Sequence, residues 1–138
     1  MKQTEPYYDI LNVRNIADER GALFVLENGT ELPFNMARCF WIKDVPHSHS
    51  RGAHAHKTCS ELIVAVNGHF KVDVTNGNQR VSILLDTPSK ALYIPTYTWC
   101  ELHSFSSDAL CLCLASQHYD AEGYINNYEE YCNIMQNQ

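Results

Sequence analysis

The fold is decided by the stretch 51–70, which reads RGAHAHKTCSELIVAVNGHF. It carries His54 and His56 one residue apart, then Glu61, then an Asn-Gly turn. Side chains of a β-strand alternate between its two faces, so a strand through this stretch places both imidazoles on the same face. The stretch therefore predicts a strand that carries a histidine pair, followed by an apolar strand that ends in a turn.

The same alternation continues along the chain. Apolar and polar residues alternate over 70–74 and again over 81–85, with Asn76-Gly77-Asn78 between the two runs. An Asn-Gly turn between alternating runs is typical of a β-hairpin. Further short apolar runs lie at 23–26, 36–42, 62–66, 91–94 and 109–115. Turns that recur about every ten residues indicate an all-β sandwich or barrel.

The pattern changes near the end of the chain. Over 121–135 the apolar residues, among them Tyr131 and Cys132, follow helical spacing. We therefore expect residues 118–138 to form a C-terminal helical tail whose aromatic face packs on the sheet or on a partner subunit. Tyr119, Asp120, Tyr124 and Tyr128 are interpreted as docking residues of that tail. A length of 138 residues predicts a single domain over 1–138.

Composition excludes several classes of partner. The net charge is −6, which argues against general affinity for nucleic acid or for an anionic membrane surface. No apolar run approaches the roughly 18 residues of a membrane span. The opening MKQTEPYYDI lacks the apolar core of a secretory signal, so we expect a cytoplasmic protein. None of the six cysteines forms a CxxC pair, which predicts reduced and mostly buried thiols.

The spacing of the decisive stretch matches a known motif. His54, His56, Glu61 and Gly68 fit HxHx4Ex6G, the first motif of the cupin barrel. In the second cupin motif, which begins here at Pro95, Cys100 stands where a histidine is usual. The expected fold is an all-β cupin, a double-stranded β-helix or jelly-roll barrel, with a short C-terminal helix.

A closer resemblance covers nearly the whole chain. The segments that carry it are DERGAL at 18–23, RGAHAHK at 51–57, LYIPTYTWCELHSFSSDALCLCLAS at 92–116 and HYDAEGYINNY at 118–128. In this combination the chain resembles the dTDP-sugar 3,4-ketoisomerases. The resemblance implies conversion of dTDP-4-keto-6-deoxyglucose to a dTDP-3-keto-6-deoxyhexose in deoxysugar biosynthesis for surface glycans, without a metal or other cofactor. It also implies a homodimer, with residues 1–20 as an exchanged N-terminal strand.

The chemistry of a 3,4-ketoisomerase suggests roles for several residues of these motifs. Neutral imidazoles can give or take protons near neutral pH, so His54 and His56 are the candidate catalytic residues. We expect His56 to carry the C3/C4 proton and His54 to polarise the oxygens or carry the second proton. Arg38 and Arg51 are candidates for stabilising the enediolate or for holding the diphosphate.

The remaining candidates have two interpretations each. Trp41, Tyr93 or Tyr97 could stack on the thymine, or could pack in the core. Glu101 and His103 could orient a catalytic group, or could be surface residues. Alternation places His103 on the opposite side from Cys100.

Three positions depart from the ketoisomerase pattern. The family usually has histidine at Cys100, glutamine at Glu61, and tyrosine at Phe40 or Trp41. One alternative hypothesis is therefore a metal-dependent cupin that uses His54, His56, Glu61 and Cys100, since two histidines and a carboxylate suit a transition metal. A second alternative is a nucleotide-sugar binder without catalytic activity. Within the ketoisomerase hypothesis, Cys100 and Glu101 count among the substrate-binding candidates.

Overall fold

The computed structural model describes residues 7–137. Twelve strands, one turn of 3₁₀ helix and one α-helix succeed one another along this part of the chain. They are β1 Asp9–Asn12, β2 Arg14–Asp18, β3 Gly21–Val25, β4 Arg38–Lys43, β5 Arg51–His56, β6 Glu61–Asn67, β7 Phe70–Thr75, β8 Arg80–Leu85, β9 Lys90–Ile94, β10 Trp99–His103, β11 Leu110–Ala115, the 3₁₀ turn Ala121–Gly123, β12 Tyr124–Ile125 and α1 Tyr128–Gln136.

Two five-stranded antiparallel sheets face each other. One has the order β1-β9-β6-β11-β4 and the other β12-β5-β10-β7-β8. Inward side chains of both sheets, such as Phe70, Leu92 and Cys111, form the main core between them. The alternation in the sequence therefore reflects strands with one face in this core, and the prediction of an all-β fold with a short C-terminal helix is confirmed.

The predicted hairpin is present. Strands β7 and β8 pair from Phe70 with Leu85 to Thr75 with Arg80, across a turn in which Gly77 has a φ of 92°. The motif glycine Gly68 also has a specific role. Its φ is 65°, and a Cβ there would lie 2.8 Å from Ala109 Cα, so only glycine fits the turn after β6.

The C-terminal segment differs from its prediction. The α-helix begins at Tyr128, where the side chain of Asn127 accepts a hydrogen bond from the Glu130 amide. Upstream, Tyr124 and Ile125 form a short strand that pairs with His56 and Ala55 of β5. Helical spacing could not reveal this pairing, because an open sheet edge competes with the helix for the backbone hydrogen bonds. Gln138 of the predicted tail lies outside the described residues.

The N-terminal segment forms one strand of the first sheet and a separate hairpin. Strand β1 pairs with β9 of its own chain, Asp9 opposite Tyr93. Strands β2 and β3 form a hairpin that, within the described residues, pairs with no other strand. The hairpin is largely exposed and presents Ile16, Leu23 and Phe24 to solvent. Residues 1–6 of the predicted exchanged strand lie outside the described residues.

In the described part of the chain, no helix combines the length and apolar character needed to cross a bilayer.

Candidate active site

The histidine pair lies between two neighbours in its sheet. Strand β5 pairs with β10, His54 opposite Cys100, and with β12, His56 opposite Tyr124. The two imidazole rings meet edge to face with their centroids 4.8 Å apart. Just before them, Ala53 adopts a φ of 62°, a left-handed conformation that is costly for a residue with a Cβ. This strain lies in the strand that orients the histidines, where functional sites often store it.

The two histidines have different surroundings. His54 lines a cavity, and burial, followed by the neighbouring His56, lowers the pKa of His54 below its ordinary value. His54 is therefore neutral at pH 7 and able to accept a proton. His56 is only 4% exposed, with Nε2 at 3.4 Å from Glu61 Oε1. That nitrogen has no hydrogen-bond partner among residues 7–137, because the contact to Glu61 lacks hydrogen-bonding geometry.

Tyr124 is a site residue that sequence reasoning missed. Its ring lies 4.5 Å from the His56 ring and 4.9 Å from the His54 ring, between centroids. The Arg38 guanidinium lies beside its hydroxyl in the same cavity lining. Although burial acts to lower it, the Tyr124 phenol and the Glu61 carboxylate together raise the pKa of Arg38 above its ordinary value. Tyr124 thus joins a cationic group to both imidazoles, rather than serving only to dock the helix.

A cavity of about 210 Å³ lies between the two sheets, lined by His54 and Tyr124 but not by the buried His56. The candidates Arg38, Arg51, His54 and Cys100 all line it. The other lining residues are Phe40, Ile42, Gly52, Glu61, Ile63, Leu102, Cys113, Tyr119 and Tyr124. Burial, and then the Glu61 carboxylate, raise the pKa of the Cys100 thiol well above its ordinary value, so that thiol is neutral.

The structure places the aromatic candidates outside this cavity. Tyr93 packs on Phe34, with ring centroids 6.2 Å apart, on the outer face of the sheet that contains β9. Tyr97 belongs to a cluster with Trp99 and Tyr131 on the outer face of the other sheet. Tyr93 and Tyr97 therefore pack against other side chains rather than facing the cavity.

Trp41 is 63% exposed on β4 and lines a shallower depression of about 460 Å³. This depression adjoins the barrel cavity, since Ile42 and Arg51 line both. Trp41 is thus near the mouth of the cavity although it does not enter it.

Glu101 and His103 also lie outside the cavity. Glu101 accepts a hydrogen bond of 3.0 Å from the Ser50 hydroxyl. His103 contacts Asp73 through Nε2 at 2.9 Å on the outer face of β10, opposite Cys100 as alternation predicts. Neither side chain is in reach of the histidine pair.

The four residues of the metal-cupin hypothesis are only partly brought together. His54, Glu61 and Cys100 each present a ligand atom, and these three atoms lie within 4.8 Å of one another. His56 is not a member of this group. Nitrogen, carboxylate and thiolate ligands suit a borderline-soft cation such as Zn²⁺, so three of the four residues fit such an ion.

Comparison with known proteins gives one consistent family. The family model FdtA, described as WxcM-like, C-terminal, matches residues 7–136. The chain is 37% identical over 122 residues to a TDP-4-oxo-6-deoxy-alpha-D-glucose-3,4-oxoisomerase from Aneurinibacillus thermoaerophilus, a match that spans 88% of each protein.

Solved structures agree with this match. The WlaRB TDP-quinovose 3,4-ketoisomerase from Campylobacter jejuni is 39% identical, with a TM-score of 0.88 over 93% of this chain and 98% of that one. QdtA from Thermoanaerobacterium thermosaccharolyticum, a 3,4-ketoisomerase solved in complex with TDP, is 30% identical, with a TM-score of 0.93 over 97% of this chain and 98% of that one. The cupin-like barrel predicted from the motifs is therefore confirmed. Since the family match spans nearly all of the described residues, the chain belongs to the FdtA-like family of sugar 3,4-ketoisomerases and is an isomerase.

Proposed function

We propose that the protein converts a TDP-linked 4-keto-6-deoxyhexose to its 3-keto isomer through an enediol, with His54, His56 and Tyr124 as proton carriers. The observation that carries the proposal is a cluster of two imidazoles and a phenol beside the Arg38 guanidinium, in which His54 and Tyr124 line the cavity and His56 is buried against them. A mutant of QdtA has been solved in complex with TDP-4-keto-6-deoxyglucose, and that structure has a TM-score of 0.94 to this chain at 29% identity. This ligand supports the choice of substrate.

The isomerisation balances without an oxidant or reductant. A base takes the C3 proton, the C–H electron pair forms the C3–C4 double bond, and O4 takes a proton to give the enediol. The O3 hydroxyl then loses its proton as the C3 carbonyl forms, and C4 receives a proton. Each step is a proton transfer, which neutral imidazoles perform well near neutral pH.

The surroundings of each group suggest its part in this sequence. His54 lies on the cavity wall and is neutral, so it can meet the sugar directly. His56 is held between Glu61 and Tyr124, and we retain it as carrier of the C3/C4 proton. Arg38 stabilises negative charge on the enediolate oxygens and holds Tyr124 ready as a proton donor.

The cavity volume suggests how the rest of the substrate lies. About 210 Å³ is smaller than the roughly 300–1,000 Å³ of a pocket that encloses a whole ligand. The sugar therefore enters the barrel, while the nucleotide stays in the adjoining depression. Arg51, which lines both spaces, is placed to hold the diphosphate, and Trp41 offers a face to the thymine.

The decisive experiment is turnover of TDP-4-keto-6-deoxyglucose followed by NMR in D₂O. We expect the wild type to form a 3-keto product with deuterium from solvent. His54→Asn and His56→Asn should each lose about 10²–10⁴-fold in rate while still binding TDP. Binding of TDP without turnover by the wild type would favour a nucleotide-sugar binder, and wild-type rates in either variant would remove that histidine from the mechanism.

We also propose that the protein is a homodimer. The exposed apolar residues of the β2–β3 hairpin, among them Leu23, have no cover within the described residues. Beside the hairpin an apolar groove of about 440 Å³, lined by Val64, Leu112 and Leu114 among others, runs over the outer face of the first sheet. A second copy that places its hairpin on this face would cover both surfaces. A cytoplasmic location, a metal-free and cofactor-free reaction, and the absence of nucleic-acid and membrane partners stay predictions.

A further inference from the structure

We propose that His54, Glu61 and Cys100 form a binding site for a thiophilic divalent cation such as Zn²⁺, and that this cation and the sugar substrate exclude each other from the cavity. The binding site is inferred from the positions of the three side chains alone. The exclusion rests on the proposed function, because it needs the sugar to enter the same cavity.

The three ligand atoms come from three strands that meet inside the barrel. His54 is on β5, Cys100 is opposite it on β10, and Glu61 begins β6 in the facing sheet. Their ligand atoms lie within 4.8 Å of one another. Zinc bond lengths of about 2.0–2.3 Å in a tetrahedron separate ligand atoms by roughly 3.3–3.8 Å. Rotamer adjustments of about 1 Å therefore complete the site.

A second observation is a buried polar pair beside the three ligand atoms. Glu61 is 4% exposed, its one ion-pair contact among the described residues is to His56 at 3.4 Å, and Arg38 acts on it only through longer-range charge. The Nε2 atom of His56 is itself buried without a hydrogen-bond partner. A buried carboxylate beside an unsatisfied imidazole is costly, and a bound cation would offset that cost.

The surroundings favour a soft cation over Mg²⁺ or Ca²⁺. Cys113 also lines the cavity, with its sulfur 3.7 Å from that of Cys111. Thiolate ligands select zinc-like ions, whereas magnesium and calcium prefer oxygen. Cys100 would bind as the thiolate, so its S–H proton passes to solvent as the S–metal bond forms.

Occupation of this site would stop the isomerase. The cation would hold the ring nitrogen of His54 that the proposed reaction needs, and it would fill part of a cavity of about 210 Å³. Sugar and cation then compete, so the metal raises the apparent KM for the TDP-sugar rather than altering the product.

The test uses untagged protein freed of metal by chelation and then titrated with Co²⁺ and with Zn²⁺. We expect binding of one Co²⁺ per chain with a near-ultraviolet thiolate charge-transfer band, displaced by Zn²⁺. Cys100→Ser should abolish the band, and Glu61→Gln, which keeps the side-chain shape, should weaken binding at least about tenfold. Cys59→Ser is the matched control, because Cys59 is buried outside this group and should leave binding unchanged.

Spectroscopy and turnover separate the two proposals. Absence of the band in the wild type, or its persistence in Cys100→Ser, would overturn the metal site whatever the activity. If the cation binds but activity rises, or if saturating TDP-sugar does not release it, the exclusion is wrong. Failure of the metal-free protein to isomerise the sugar would overturn the proposed function while the Co²⁺ band still tests the site.

Discussion

Removal of the Tyr124 hydroxyl tests the proposed proton relay with little disturbance to the fold. Tyr124→Phe keeps the aromatic ring that contacts both imidazoles at 4.5 and 4.9 Å, and it keeps the backbone pairing with His56. The substitution removes only the hydroxyl that lies beside the Arg38 guanidinium. Any loss of activity is therefore attributable to that hydroxyl.

The expected loss of kcat follows from the role of the Tyr124 hydroxyl as a general acid. A positioned general acid contributes typically about 10²–10⁴-fold, which corresponds to about 2.7–5.4 kcal/mol in the activation barrier. We expect kcat to fall within that range. Stability should change by no more than about 1.5 kcal/mol, the net value of one hydrogen bond, because Tyr124 is only half-buried. A large loss of kcat beside a small loss of stability separates a chemical role from a structural one.

The assay is single-turnover conversion of the TDP-sugar, with TDP affinity and thermal unfolding measured on the same preparations. Tyr119→Phe is the matched control, since Tyr119 also lies by Arg38, 5.8 Å from its guanidinium to the ring centroid, but is 66% exposed. Its rate should stay within about threefold of wild type. A Tyr124→Phe rate as high as that of Tyr119→Phe would refute the relay and leave the tyrosine a packing role.

Three further outcomes are expected. Tyr131→Phe removes a buried hydroxyl whose one proton is shared between two backbone carbonyls, and it should cost about 2 kcal/mol or about 6 °C in Tm. Tyr128→Phe, at an exposed tyrosine, should cost little in the same melting experiment. Partial burial acts to raise the pKa of Asp73, but hydrogen bonds lower it below its ordinary value. The ionised Asp73 side chain therefore stabilises the fold above about pH 4, and this contribution disappears as the pH falls through the lowered pKa. Asp73→Asn should therefore lower the free energy of unfolding by about 1 kcal/mol in urea titrations at pH 7, and by progressively less as the pH falls through the lowered value. Asp86→Asn should change it at neither end of the series. If the wild type is the proposed dimer, Leu23→Glu should be a monomer in light scattering, and a variant dimer that persists at micromolar concentration would mean that the hairpin is not the interface.

Local patterns were sufficient to predict the strands and the histidine pair. The Phe70–Thr75 and Arg80–Leu85 hairpin follows from alternation and an Asn-Gly turn, both properties of neighbouring residues. The shared direction of His54 and His56 follows from the period of a strand. Their contact, at 4.8 Å between ring centroids, needed no knowledge of distant parts of the chain.

Features that depend on distant pairing could not be predicted in this way. Tyr124 shares helical spacing with Tyr128 and Tyr131, yet it lies in a strand because the edge of β5 offers hydrogen bonds there. Trp41, Tyr93 and Tyr97 have the composition of a nucleotide platform, but which face of a sheet an aromatic side chain occupies depends on register. Register places Tyr93 and Tyr97 in outer clusters and leaves Trp41 by the cavity mouth.

The C-terminal segment supports the active site through two tyrosines that act in different ways. The Tyr131 hydroxyl donates to the Tyr97 carbonyl at 2.7 Å, and the Tyr97 amide donates to the His56 carbonyl, also at 2.7 Å. Tyr131 therefore anchors the backbone of strand β5 from outside the barrel, whereas Tyr124 faces the imidazoles from inside. Loss of the Tyr131 hydroxyl should lower stability and activity together, because it loosens the strand that holds His56. Loss of the Tyr124 hydroxyl should lower activity alone, so a comparison of the two variants distinguishes support of the histidines from participation in their chemistry.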